Sequence, residues 1–233
     1  MNPSDVTIDI GGATLTLLPQ RGLFWAQENT LLVADVHLGK EHVFGRSGIA
    51  IPAGSSEKTL SRLSQLLTVT SATECIVLGD FFHDTPLPSD SWLTCVSEFL
   101  DQHPEINVSV VAGNHDKKRG QPMIDQRITW HSNPVHRAPF VLQHEPGSDE
   151  RGHVLAGHVH PVVSLRKKFQ RSLSGPCFWK QQHCTILPAF GDFTGGFSVS
   201  PSLQDSVYLT GPDCVIPIPT TAVSTRRSRE MRV

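Results

Sequence analysis

The chain reads Leu31-Leu32-Val33-Ala34-Asp35-Val36-His37 where a short apolar run meets two side chains that can bind a metal ion. A continuous apolar run of this length is typical of a β-strand that is buried on both faces. Asp35 and His37 are two residues apart, so in regular strand geometry their side chains would share a face. The segment therefore predicts a buried strand that presents two ligands for one ion at its C-terminal end.

Four further segments repeat this arrangement, in which an apolar run precedes a metal-binding or acid–base side chain. They are Gly79-Asp80-Phe81-Phe82-His83 after Cys75–Leu78, Gly113-Asn114-His115-Asp116 after Ile106–Ala112, His144 after Phe140–Leu142, and Gly157-His158-Val159-His160 after Val154–Ala156. Each pattern is weak alone, because such side chains are common in ordinary loops. The ordered set, with every member at a predicted strand end, indicates one shared site.

Helical patterns separate the first strands. Ser55–Leu67 and Trp92–Leu100 carry apolar residues at helical spacing, and such alternation indicates α/β layering with a ligand site at the C-terminal strand ends. After Pro161 the pattern changes to strands without helices: Val162–Leu165, Cys184–Leu187, Ser206–Leu209 and Val215–Ile218. The residues alone thus favour a simple α/β sheet, followed by a C-terminal third of the chain that is rich in strands.

Composition limits the class of protein. The 233 residues are 38% hydrophobic and 18% charged with a net charge of −2, which suits a globular chain and argues against non-specific coating of nucleic acid or membrane. We expect one domain over residues 1–220 and a disordered basic tail over 221–233. An odd cysteine count without a C-x-x-C pair favours a reduced, cytoplasmic setting, and we expect neither a signal peptide nor a membrane span.

The side chains of the shared site match the ligands of two divalent cations. Two cations about 3.5–4 Å apart clamp a phosphate, lower the pKa of a bridging water and stabilise in-line displacement. The candidate ligands are carboxylate, carboxamide and imidazole groups from Asp35, His37, Asp80, Asn114, His144, His158 and His160. Asp80 is the expected bridge. His144 has three rivals, which are His131, His136 and His153.

His115 is the candidate general acid. It directly follows Asn114, so we expect that it does not bind the same metal as Asn114 and that it protonates the leaving-group oxygen. A nearby carboxylate would orient an imidazole and raise its pKa. Asp116 and His83 are the two candidate partners, and both are therefore included among the catalytic residues.

The ordered set of motifs resembles the calcineurin-like metallophosphoesterases over Leu31 to Pro161. The resemblance implies a β-sandwich of two mixed sheets flanked by helices, with the strand-rich third as part of the second sheet. It implies that Asp35, His37, Asp80 and His160 hold one metal, and that Asp80, Asn114, His144 and His158 hold the other. It also implies the general-acid role of His115, in an attack by hydroxide that bridges the two metals.

A longer block resembles a bacterial subgroup of that family. Residues 35–41, followed by Phe44 and Gly48–Pro52, are similar to the ligase-associated phosphoesterases of the PdeM group. This resemblance implies a Mn²⁺-dependent DNA endonuclease or phosphodiesterase in DNA repair, with an ATP-dependent DNA ligase and an exonuclease as partners. Oxygen and nitrogen ligands without thiolate also suit Fe or Zn²⁺.

Two basic runs follow the metal motifs and concern the substrate. They are Lys117-Lys118-Arg119 and Arg166-Lys167-Lys168. If both flank the metals, they favour DNA or another phosphodiester polyanion, although solvated loop charge is an equal alternative. Phe169, Phe178 and Trp179 are candidates for base stacking or for the core.

Three functions therefore stay open. The first is a DNA phosphodiesterase or nuclease. The second is a small-molecule phosphoesterase acting on a cyclic nucleotide or a dinucleoside polyphosphate, and the third is a non-catalytic metal-binding scaffold. His115 argues against the scaffold, since a scaffold has no need of an acid. A protein phosphatase is less favoured, because Asp84-Thr85-Pro86 follows His83 where such enzymes carry an arginine.

Overall fold

A computed structural model describes residues 5–46, 48, 52, 54–86, 90, 92–118, 125–165 and 173–224, except for the side chain of Lys118. The strands are β1 Val6–Ile10, β2 Ala13–Leu17, β3 Leu23–Trp25, β4 Thr30–Ala34, β5 Glu74–Leu78, β6 Asn107–Val111, β7 Ile128–His131, β8 Val135–Arg137, β9 Phe140–Leu142, β10 His153–Ala156, β11 Pro161–Ser164, β12 Ser174–Lys180, β13 Cys184–Ile186, β14 Phe197–Ser198, β15 Ser206–Thr210 and β16 Val215–Ile218. The helices are α1 Lys40–Arg46, α2 Ser55–Thr70, α3 Trp92–Gln102 and α4 Asn114–Lys118, with short 3-10 turns at Ala26–Glu28 and Thr220–Ala222.

The first sheet of the described chain has seven strands in sequence order, from β1 to β7. The strands β1 to β4 pair antiparallel, whereas β4, β5, β6 and β7 pair parallel. Every residue of β4 is buried, and so are the last four residues of β5 and β6. Their continuous apolar runs place three strand ends at one edge of the sheet.

The second sheet contains nine strands among the described residues. Its main path runs β14-β11-β12-β13-β10-β9-β8, and β15 and β16 join it through β12. The strands β9, β10 and β13 are parallel neighbours, so their C-terminal ends also lie together. A parallel bridge between Ala34 and Ala189 brings the edge of the first sheet to the segment that follows β13.

Apolar side chains fill the space on both faces of the first sheet. One cluster packs α2 and α3 against it through residues such as Leu63 and Phe99. The other lies between the two sheets and includes Trp25, Phe140 and Phe178. The expected β-sandwich of two mixed sheets flanked by helices is therefore confirmed, and the simple α/β sheet that the residues alone favoured is wrong.

Several details differ from the sequence interpretation. The strand β12 contains Phe178 and Trp179, and Phe178 is fully buried, so it belongs to the core. The helix α1 had no periodic signal, because it is only seven residues long. Val223 is buried and bridges Leu165, so packed chain continues past the expected boundary at residue 220. Residues 225–233 and Phe169 lie outside the described residues.

No helix in the described part of the chain is long and apolar enough to cross a membrane.

We expect Phe140→Ala to lower the free energy of unfolding by about 3–5 kcal/mol, because it empties a fully buried ring position between the sheets. The ring of Phe140 meets the ring of Trp25 edge-on, with centroids 4.9 Å apart. Urea unfolding of the purified variant measures the change. Val69→Ala is the control, since Val69 is 72% exposed, and equal stability of the two variants would contradict this packing.

Candidate metal centre

The expected ligand residues lie where the strand ends of the two sheets meet. Asp35 and His37 follow β4, Asp80 follows β5, and Asn114 begins α4 after β6. From the second sheet, His144 follows β9, and His158 and His160 lie between β10 and β11. The Asp35 N–H donates to the Gly79 carbonyl and the His37 N–H to the Asp80 carbonyl, at 3.2 and 2.9 Å. These bonds continue the pairing of the two loops beyond the strands.

Most of these residues have left-handed backbones. The φ angles are 53° at Asp35, 52° at His37, 47° at Asp80, 69° at His158 and 51° at His160. The expectation that Asp35 and His37 share a face through strand geometry is therefore wrong. A left-handed conformation costs a non-glycine residue about 1–2 kcal/mol, and such strain collects at functional sites where surrounding contacts enforce it.

The first ligand cluster contains Asp35, His37 and His160, whose ligand atoms all lie within 4.8 Å of one another. His37 Nε2 lies 3.3 Å from His160 Nε2, and His160 Nε2 lies 3.5 Å from Asp35 Oδ1. Asp35 is fully buried and His37 is 6% exposed. These are three of the four residues expected to hold the first ion.

The second cluster contains Asp80, His144 and His158 within the same limit. His144 Nε2 lies 2.9 Å from Asn114 Oδ1, 3.0 Å from His158 Nδ1 and 3.6 Å from Asp80 Oδ2. The fold thus brings together all four residues expected to hold the second ion. His144 takes its place here, whereas His136 and His153 hydrogen-bond to Arg151 and Thr185 instead.

Asp80 lies between the two clusters. Its Oδ2 is 3.6 Å from His144 Nε2 in the second cluster and 3.9 Å from His37 Nε2 in the first. Its Oδ1 accepts a hydrogen bond from the His115 backbone N–H at 3.0 Å. This position is the one that a carboxylate shared by two ions requires.

The hydrogen bonds of the imidazoles test whether cations fit the centre. His144 Nδ1 lies 3.1 Å from the Leu78 carbonyl, and His160 Nδ1 lies 3.0 Å from the Thr194 carbonyl. A carbonyl only accepts, so each Nδ1 carries a proton, and in the form that binds metal the lone pair of each Nε2 faces the cluster. Asp35 Oδ1 is buried without a hydrogen-bond partner in the described chain. Converging lone pairs and an unpaired carboxylate oxygen fit divalent cations.

The pKa values of two of these rings are shifted in opposite directions. Burial, assisted by the nearby groups His160 and Lys40, lowers the pKa of His37. Burial also opposes protonation of His160, but the nearby Asp35 carboxylate, with the Thr194 carbonyl, outweighs it and raises the pKa of His160. The His37 imidazole is therefore kept neutral, which is the form that binds metal.

His115 lies beside the two clusters with one ring nitrogen directed at Asp80. Its Nδ1 donates to the backbone carbonyl of His83 at 3.2 Å, and its Nε2 lies 4.0 Å from Asp80 Oδ2. The rings of His83 and His115 stack with centroids 5.3 Å apart. His83 Nδ1 also lies 3.4 Å from His37 Nδ1. His83 thus contacts both the expected acid and an expected ligand.

Asp116 has a different task from the expected one. Its carboxylate accepts hydrogen bonds from the backbone N–H groups of Gly113 at 2.9 Å and Phe82 at 3.5 Å. It is 3% exposed, and burial raises its pKa against the effect of these donors. Asp116 therefore ties two ligand loops together, and the group that orients the His115 ring is the His83 carbonyl.

The basic runs are described only in part. Lys117 is exposed and lines a groove beside Asn114 and His144, so its position suits a substrate contact. The side chain of Lys118 lies outside the described residues, and so do Arg119, Arg166, Lys167 and Lys168. Sequence reasoning missed Thr194, whose backbone carbonyl orients the His160 ring. A backbone carbonyl leaves no signature in the residue type.

We expect Gly79→Ala to weaken metal binding at the second cluster at least 10-fold, because a Cβ there would overlap the His144 ring. Calorimetric titration with Mn²⁺ and metal analysis after gel filtration measure the effect. Gly12→Ala is a matched control: its φ of +82° is close to the +81° of Gly79, but no described heavy atom lies within 4 Å of its new Cβ. Equal metal binding by both variants would contradict the placement of His144.

The chain is similar to known proteins in sequence and in fold. The family model for calcineurin-like phosphoesterases matches residues 29–216. The crystal structure of Pseudomonas putida nuclease MPE is 37% identical, with a TM-score of 0.80, and the match covers 92% of this chain and 100% of that chain. The E. coli phosphoesterase Yfce is 15% identical with a TM-score of 0.42, over 84% of this chain and 94% of that one. No curated protein sequence matches. The chain belongs to the calcineurin-like phosphoesterase family and is a metal-dependent phosphoesterase.

Proposed function

We propose that this chain hydrolyses phosphodiester bonds in DNA at a dinuclear metal centre, as an endonuclease of DNA repair, with His115 as general acid. One observation carries the proposal. The carboxylate of Asp80 lies between two clusters of metal ligands, and His115 Nε2 lies 4.0 Å from its Oδ2. A phosphate held by both clusters would therefore lie within reach of an imidazole that no cluster uses.

Asp35, His37, Asp80 and His160 would hold one ion, and Asp80, Asn114, His144 and His158 the other. When bound, two such ions supply a clamp for phosphate oxygens, a water of lowered pKa and stabilisation of an in-line displacement. We propose Mn²⁺ as the ion, from the resemblance to the PdeM group. The ligands also suit Fe and Zn²⁺, so reloading the stripped protein with each metal in turn tests this choice.

The hydrogen bonding of His115 supports its proposed role as proton donor to the leaving group. The His83 carbonyl accepts the Nδ1 proton of His115, so protonation of this imidazole puts a second proton on Nε2. Nε2 faces the side of the centre where Asp80 lies, and the imidazole is partly exposed, so it can be protonated again from solvent. This geometry supports proton transfer from His115 Nε2 to the departing oxygen of the ester.

The choice of DNA is supported by the structural relative and by the exposed lysine beside the centre. The Pseudomonas putida protein, which is 37% identical to this chain, is a nuclease. Lys117 lines the groove beside Asn114 and His144, which supports a contact with a flanking phosphate, and such contacts make binding depend on salt. A role beside an ATP-dependent DNA ligase and an exonuclease in the cytoplasm is proposed from the resemblance alone. Direct binding in analytical ultracentrifugation would test those partners.

We expect Asp80→Ala to abolish hydrolysis of bis(p-nitrophenyl) phosphate and of labelled single-stranded DNA, because it removes the carboxylate that we propose both ions share. Metal analysis should show loss of both ions, whereas Asp213→Ala, an exposed control, should keep activity and metal. Cleavage of DNA that falls as salt rises supports the proposal. Turnover of small nucleotides without DNA cleavage would contradict it and favour a small-molecule phosphoesterase, and retained metal in Asp80→Ala would refute the bridge.

We expect His115→Ala to lower kcat by about 10²–10⁴ on DNA while metal content stays unchanged. The loss should be smaller on bis(p-nitrophenyl) phosphate, because p-nitrophenolate is a good leaving group that needs little help from an acid. His183→Ala is the control, since the exposed His183 lies away from the clusters. Equal losses on the two substrates would contradict the general-acid role, as would activity at the wild-type level.

A further inference from the structure

An uncharged cleft opens directly beside the second ligand cluster. Its volume is about 510 Å³ and His158 forms part of its wall. The other described lining residues are neutral: Pro146, Val159, Trp179, Gln181, Ile186 and Phe197. A cleft without Lys, Arg, Asp or Glu among these residues is unsuited to a phosphate and suited to a flat apolar group.

Phe197 is held in this cleft by the backbone that carries the metal ligands. Its N–H donates to the His160 carbonyl at 3.0 Å, and it pairs with Pro161 where β14 meets β11. The side chain is nevertheless 59% exposed. A large apolar ring that is fixed by strand pairing beside a polar centre, and yet is left uncovered, is a candidate contact for substrate.

Trp179 forms a second aromatic wall with a fixed orientation. Its indole N–H donates to Asp205 Oδ2 at 2.9 Å, and its backbone pairs with Ile186 in β13 and Val207 in β15. Part of the ring packs on the apolar cluster that contains Ile186, and the rest faces the cleft. The polar tip of the indole is thus occupied, and the half-buried ring lines the cleft.

We infer that this cleft binds a nucleobase next to the scissile phosphate, with Phe197 and Trp179 as stacking surfaces that position the substrate. The inference rests on the proposed function and adds a subsite to it. A nucleobase is flat, uncharged and joined to the phosphate by one sugar, which matches a neutral aromatic cleft that shares His158 with the metal centre. The carboxamide of Gln181, which also lines the cleft, offers a donor and an acceptor to a base edge.

The test compares two labelled oligonucleotides of equal length and charge, one with bases and one in which tetrahydrofuran residues replace them. The metal-loaded wild type should cleave the oligonucleotide with bases with a kcat/KM about 10-fold higher, in the range expected for one stacked base. Phe197→Ala should lose this preference through a raised KM and keep its rate on the abasic oligonucleotide. Phe197→Tyr should restore the preference, and Val69→Ala should leave it intact.

Each other outcome overturns the inference. Equal cleavage of both oligonucleotides by the wild type would remove the subsite and leave the proposed function standing. Equal losses on both substrates in Phe197→Ala would show a structural role only. If the wild type turns over bis(p-nitrophenyl) phosphate but neither oligonucleotide, both the subsite and the choice of DNA fail. Because Phe197 is mostly exposed, we expect its variants to fold, and circular dichroism of the purified variants checks this.

Discussion

Two buried carboxylates set the constraint that the rest of the centre obeys. Asp35 is fully buried and Asp80 is 3% exposed, and burying an ionised carboxylate costs several kcal/mol unless charge or hydrogen bonds compensate. Each uses one oxygen to hold the backbone of another loop: Asp35 Oδ2 accepts from the His158 N–H at 2.8 Å, and Asp80 Oδ1 from the His115 N–H at 3.0 Å. The other oxygen of each faces the imidazoles. The Asp35 carboxylate therefore joins the two sheets, whereas the Asp80 carboxylate joins two loops of the first sheet, and the remaining negative charge of both favours bound cations.

The left-handed backbones follow from this constraint. A strand that simply continued would alternate its side chains between the two faces and would carry Asp35 and His37 away from the second sheet. A turn at these residues directs several ligands into one small volume. The turns also bring the loops close together, so a Cβ at Gly157 would lie 2.5 Å from Asp35 Oδ2 and 2.7 Å from Ala34 Cβ. Glycine at this position is thus a condition for the contact between the sheets.

The sequence indicated which candidate ligands the fold brings together, but not the groups that orient them. Asp80 and His144 could be predicted because apolar runs locate strand ends, and parallel strand ends share an edge. The hydrogen-bond partner of the His115 ring could not be predicted, because it is a backbone carbonyl, which any residue at position 83 would supply. Asp116 has the residue type of an orienting carboxylate, but its burial beneath the loop makes the Gly113 and Phe82 N–H groups its partners.

The orientation of the His160 ring depends on residues that lie away from the ligand clusters. Its Nδ1 donates to the Thr194 carbonyl, so the ring depends on the loop that follows Phe190. Asp192 in that loop forms ion pairs with Arg21 and Arg62 at 3.3 Å each, and the Arg62 guanidinium lies over the Phe190 ring, 4.6 Å from its centroid.

A single ion pair of this exposure contributes little. Two arginines on one carboxylate, with one of them stacked on an aromatic ring, restrict the loop from several directions at once. Arg62 belongs to α2, which packs on the face of the first sheet that lies away from the second. The geometry of the metal centre therefore depends on a helix that supplies none of its ligands, and on residues outside every metal-binding motif in the chain.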